Sequence, residues 1–91
     1  MFELIHEFVA PLEDEQGHVY AARVLGRPLP NGMWEGIVQF TAEDGTVLES
    51  GRETLQSSRD ALSYWASGVE PVYLEGAFVR AQAQAAGART E

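Results

Sequence analysis

Ninety-one residues, 45% of them hydrophobic, with fourteen carboxylates against six arginines and no lysine, suit one small domain with a formal charge of −8. No cationic stripe is present, which speaks against a nucleic-acid surface, because displacing counterions from phosphates needs clustered positive charge. The lack of cysteine excludes disulfide and thiolate-metal frameworks and favours a cytoplasmic home. No apolar run approaches the ~20 residues of a membrane span, and the acidic N-terminus lacks the basic region of a signal peptide.

Phe2 to Leu12 fits both the period of a strand and that of a helix; Pro11 and the missing N-cap favour a strand. Glu13 to Gly17 has the composition of a solvated turn. His18 to Arg27, rich in Val, Tyr and Leu, predicts a second strand that ends at Pro28 and Pro30. Asn31-Gly32 predicts a two-residue type I′ hairpin into Met33–Phe40, and Asp44-Gly45 predicts another into Thr46–Gln56. Ser57-Ser58 offers an N-cap for a helix over Arg59 to Ser67, with Leu62, Trp65 and Val69 on one side. Gly68 stands where a Schellman closure needs it, and Pro71 blocks continuation. Val72 to Val79 favours a last strand, because Val, Tyr and Phe suit a sheet and Gly76 does not suit a helix interior; a helix opened by Pro71 is the alternative.

Together these give a mainly β domain bordering on α+β: about five antiparallel strands in a meander, able to curl into a small SH3-like barrel, with one short helix before the last strand. The domain spans residues 1–81, and Gln82 to Glu91 reads as a flexible tail.

Regular two-residue turns would set Trp34 opposite Leu29 and Leu55, and Gly36 between Arg27 and Glu53. Two long charged side chains would then meet over a residue that has none. The plain reading is an exposed ion pair worth ~0 to 1 kcal/mol. The functional reading is a ligand notch, with the arginine fork for an anion and Trp34 as a stacking wall. Glu35 and Arg52 fall on the opposite face as a cross-strand pair, so the candidate ligand site is Arg27, Trp34, Glu35, Arg52 and Glu53. Only one of Tyr64 and Trp65 can face inward, which leaves the other as a candidate contact for a protein partner or a second copy.

His6 and His18 flank the first turn, within reach of Glu7 or Asp14, but no HExxH, EF-hand or helix-face ligand pair accompanies them. No metal and no cofactor are expected. The chain has no nucleophile elbow or phosphate loop, and no catalytic residue is assigned. The favoured function is a non-catalytic cytosolic binding or protein-interaction module. The alternatives are a small enzyme using the sheet carboxylates Glu35 or Glu53, and an acidic mimic that captures a basic partner.

Arg23-Val24-Leu25-Gly26-Arg27, Met33-Trp34-Glu35-Gly36, Arg52-Glu53-Thr54-Leu55-Gln56, Tyr64-Trp65-Ala66-Ser67-Gly68 and Pro71-Val72-Tyr73-Leu74-Glu75-Gly76-Ala77 make the chain resemble a family of small bacterial proteins of unknown function. The resemblance covers about Tyr20 to Ala81. It implies no activity, ligand or catalytic residue.

Overall fold

Five antiparallel strands and two helices form the fold, which a computed structural model describes for residues 1–89. Strands β1 (Glu3–Glu7), β2 (Leu12–Glu13), β3 (Val19–Pro28), β4 (Trp34–Ala42) and β5 (Val47–Gln56) precede helices α1 (Arg59–Ser67) and α2 (Pro71–Arg89). The order across the sheet is β1-β3-β4-β5, with β1 and β2 sharing one edge of β3. The β-rich antiparallel architecture is the expected one. The sheet is open, however, and ends at β1 and β5, rather than curling into the small SH3-like barrel that the strand pattern allows.

Both hairpin loops are one residue longer than the type I′ turn. Gly32 donates its N–H to the Leu29 carbonyl (2.9 Å) and Leu29 donates to Met33 (2.7 Å); Gly45, Ala42 and Thr46 repeat the pattern. Only the glycines take positive φ, +88° at Gly32 and +92° at Gly45. Asn31 and Asp44 instead accept the N–H groups of Met33 and Thr46 on their side chains. This is the three-residue loop built on a type I turn with a left-handed glycine. It moves the β3–β4 register by one, pairing Pro28 with Trp34, Gly26 with Gly36 and Arg27 with Glu35. Across β4 and β5 the register shifts twice more, giving Trp34↔Gln56, Gly36↔Thr54, Ile37↔Arg52 and Gln39↔Glu49. Ser50 repairs the ladder there: its Oγ accepts the Val38 N–H (3.1 Å) and donates to the Gly51 carbonyl (2.9 Å).

One face of the sheet meets both helices. Tyr20, Ala22 and Val24 of β3 and Val38 and Phe40 of β4 pack against Leu62 and Ala66 of α1 and Leu74, Ala77, Phe78 and Ala81 of α2. The paired glycines Gly26 and Gly36 form the seat of α1. A Cβ on Gly26 would lie 2.4 Å from Leu62 Cδ2, and one on Gly36 2.7 Å from Leu62 Cδ1. Leu62 itself is fully buried.

α1 begins as the sequence indicates, with Ser58 Oγ accepting the Ala61 N–H (3.0 Å) and Asp60 in the first turn. Its end differs. Gly68 has φ −96° rather than a left-handed conformation, and closes the helix by donating to the Trp65 carbonyl (3.1 Å) while Val69 donates to Ala66 (3.2 Å).

The expected last strand, Val72 to Val79, is instead the start of α2. Pro71 sits at the first helical position, where its missing N–H costs nothing and its φ is already suitable. Leu74, Ala77, Phe78 and Ala81 then recur at i, i+3, i+4 and i+7, and their burial on the sheet outweighs the strand preference of the individual residues. The stretch expected as a tail is helical as far as Arg89; Thr90 and Glu91 lie outside the described residues.

Candidate functional site

The corrected registers redistribute the candidate residues into two clusters on opposite faces. Arg27, directly across from Glu35, and Arg52, across from Ile37, lie on the face without helices. Arg27 Nε donates to Glu35 Oε1 (2.6 Å) and Arg52 Nε donates to Glu35 Oε2 (2.8 Å). The Glu35 side chain is 9% exposed, while those of Arg27 and Arg52 are 43% and 48% exposed. One buried carboxylate thus holds two half-exposed guanidinium groups across three strands.

Hydrogen bonds from Arg52, and then from Arg27, hold the Glu35 carboxyl below its ordinary range, against the opposing effect of burial. Glu35 is therefore ionised at neutral pH, and the trio carries a net charge of +1. Among the described residues no group accepts from the terminal Nη atoms of either arginine. Phe2 lies under Arg27, its ring centroid 4.8 Å from the guanidinium carbon. Trp34, expected as the stacking wall, is on the helix side and packs against the core. The surrounding concavity, about 650 Å³, takes in Phe2, Ile37 and Glu49 on this face and runs past Gly51 at the β5 edge to Ala81, Gln84 and Ala85 of α2. A neighbouring row continues the polar network, with Arg23 donating to Gln39 (2.8 Å) and Gln39 to Glu49 (2.9 Å).

Glu53 turns the other way and does not meet Arg27. Its carboxylate accepts from Arg80 Nε (2.9 Å) and Nη2 (2.7 Å) and from the Tyr73 hydroxyl (2.6 Å). Burial acts to raise the Glu53 carboxyl, but the donors from Arg80 and Tyr73 outweigh it and leave it below its ordinary value. Burial and the bond to Glu53 push the Tyr73 phenol up to about 12. With both oxygens occupied and its side chain 5% exposed, Glu53 is a latch that ties α2 to β5.

No protein-family model, curated protein or solved structure matches the chain. The geometry alone carries the functional reading.

Tyr64 and Trp65 divide as helical geometry requires: Tyr64 is 83% exposed, whereas Trp65 is half-buried with its ring edge-on to Tyr73 at 5.7 Å. His18 Nδ1 lies 3.0 Å from Asp14, and the His6 ring lies edge-on to Phe8. Among the described residues no group of three or more His, Asp or Glu could hold a metal ion, and no helix is long and apolar enough to cross a membrane.

Sequence reasoning missed Tyr73 and Arg80, because both fell within or just past the segment read as a strand. The signal that places them was present: Pro71 followed by the Leu74, Ala77, Phe78, Ala81 spacing sets Tyr73 and Arg80 on one flank of a helix. A two-residue turn at Asn31-Gly32 sets Arg27 opposite Gly36, whereas the three-residue loop pairs it with Glu35.

Proposed function

We propose that this chain is a non-catalytic cytosolic binding module whose open sheet face takes an oxyanion, a carboxylate or phosphate group, between Arg27 and Arg52. The observation that carries this is a contrast among the arginines. Arg80 gives Glu53 both Nε and Nη2, so one full edge of its guanidinium is used in a bidentate pair. Arg27 and Arg52 each give Glu35 only Nε, and among the described residues nothing accepts from their Nη atoms, on side chains that are about half-exposed.

Glu35 fixes both stems, so an arriving oxyanion meets two forks already in place and little side-chain freedom has to be lost on binding. Phe2 beneath Arg27 adds an apolar floor. The enzyme reading has less support, because Glu35 and Glu53 are both held ionised by their donors and neither is tuned for proton transfer near neutrality.

Titration of ¹⁵N-labelled protein with inorganic phosphate tests this reading. The Nε–Hε resonances of Arg27 and Arg52 should shift saturably, with a dissociation constant on the order of millimolar for so small an ion. Arg27→Ala should abolish the saturable component. Resonances that do not move, or that move equally in Arg27→Ala, would refute it.

A further inference from the structure

The outer side of α2 presents an apolar strip that the described residues leave exposed. The inward line Leu74, Ala77, Phe78 and Ala81 is buried; at 100° per residue the line opposite it is Val72, Val79, Ala83 and Ala86, all exposed. Val72 is 72% and Val79 63% exposed. Alanine on the solvent side of a helix is explained by its helix propensity. Valine is not, because β-branching weakens a helix and the side chain gains nothing in water.

Val72, Val79 and Ala86 recur every seven residues, the spacing of a seam between two packed helices. No charge lies on that line. Glu75 is on one flank, and Arg80 on the other is already held by Glu53. At the N-terminal end, the exposed ring of Tyr64 shares a hollow of about 530 Å³ with Val72 and extends the apolar strip.

We propose that a second copy of this chain covers the strip, the two α2 helices packing antiparallel about Val79. This surface is separate from the arginine face and does not depend on the anion-binding reading. Two copies that each carry −8 repel one another, and the line Val72, Val79, Ala86 itself adds no charge to that repulsion. The flank supplies complementarity as well. Glu75 lies four residues before Val79 and Gln82 three after it, on the same side of the helix. Antiparallel packing brings Glu75 of one copy level with Gln82 of the other, within about one residue's rise of 1.5 Å. The amide then donates to the carboxylate, and the symmetry repeats the bond. The antiparallel arrangement also opposes the two helix dipoles favourably.

One helix pair with Tyr64 at each end buries less than the roughly 800 Å² per partner of a standard interface, so the dimer is weak, micromolar or weaker. Glu13, Asp14 and Glu15 line the hollow beside Glu75, so like charges gather along the flank of the seam. Added salt therefore strengthens the dimer, whereas it would weaken capture of a basic partner on the same strip.

Sedimentation equilibrium of the full chain at low and high salt tests the proposal. The expected result is a monomer–dimer equilibrium that moves toward dimer with salt, and a shift of at least tenfold toward monomer in Val79→Glu with the melting temperature kept. The chain has no cysteine, so Val79→Cys introduces a single thiol. Under mild oxidation it should give a disulfide-linked dimer faster than Leu55→Cys on the open sheet face. A wild-type chain that stays monomeric at every concentration, a dimer unaffected by Val79→Glu, or equal cross-linking of the two cysteine variants would each overturn it.

Discussion

Replacing Gly36 with alanine tests the seat of α1 and, with it, the fate of the gap in β4. The added methyl would stand 2.7 Å from Leu62 Cδ1 and 2.9 Å from Thr54 Cγ2. That is about 0.8 Å short of the ~3.5 Å at which carbon contacts become favourable. Leu62 is fully buried and cannot swing out to solvent, so the substitution crowds the core. Overpacking of this kind costs about 1–3 kcal/mol, offset in part by the better strand propensity of alanine, and a net loss of ~1–2 kcal/mol is expected. For a domain of this size that lowers the melting temperature by about 5–15 °C. Leu62→Ala alone should cost ~2–5 kcal/mol by leaving a cavity. In the double variant the new methyl enters that cavity, so the combined loss should fall at least ~1 kcal/mol short of the sum. Thermal and urea unfolding of the four proteins provides the measurement. Additive losses, or a Gly36→Ala protein as stable as the parent, would refute the seat.

Two further predictions concern pH. The Glu35 and Glu53 carboxyls both sit below their ordinary value of 4.5 in the folded protein, so the stability they contribute is complete above about pH 4.5 and is lost as pH falls through their folded-state values. The acid limb of the melting curve should therefore flatten in Glu35→Gln and in Glu53→Gln, with Glu53→Gln costing about 2 kcal/mol at neutral pH because three donors lose a buried charge. The Tyr73 phenol is raised from 10.0 to about 12, so its contribution is complete below pH 10 and disappears between pH 10 and about 12. Tyr73→Phe should abolish that alkaline loss, as followed by circular dichroism.

β3, β4 and β5, both turn positions and the whole of α1 were legible in the sequence, because their signals are local: residue type and alternation, Asn-Gly and Asp-Gly, and the serine cap; Phe2 to Leu12, read as one strand, is instead β1 followed by the separate β2, whose Glu13 falls in the stretch read as a turn. What was not legible depends on packing. Asn31-Gly32 marks a turn without stating its length, and one extra loop residue decided whether Arg27 faces Gly36 or Glu35. Gly36 looked like a gap for a ligand, yet it is a gap for Leu62, a residue 26 positions away in a different element. Val72 to Val79 contains good strand formers, but α2 is held by burial of one side against the sheet, and that preference belongs to the tertiary structure. Arg27, Glu35 and Arg52 could each be named from the sequence. Their meeting on one carboxylate could not, because Arg52 reaches Glu35 through a register shift in β5 that follows no local rule.

In the proposed site Glu35 presents two arginine forks, and not merely two positive charges, to an oxyanion. Calorimetric or NMR-derived phosphate affinities of the wild type and of Arg27→Lys/Arg52→Lys test it most directly, because lysine keeps each charge and removes the planar donor edge. The lysine variant should lose affinity at least tenfold, with the fold and the net charge retained. Equal affinity in the two proteins would contradict it and reduce the site to nonspecific electrostatics.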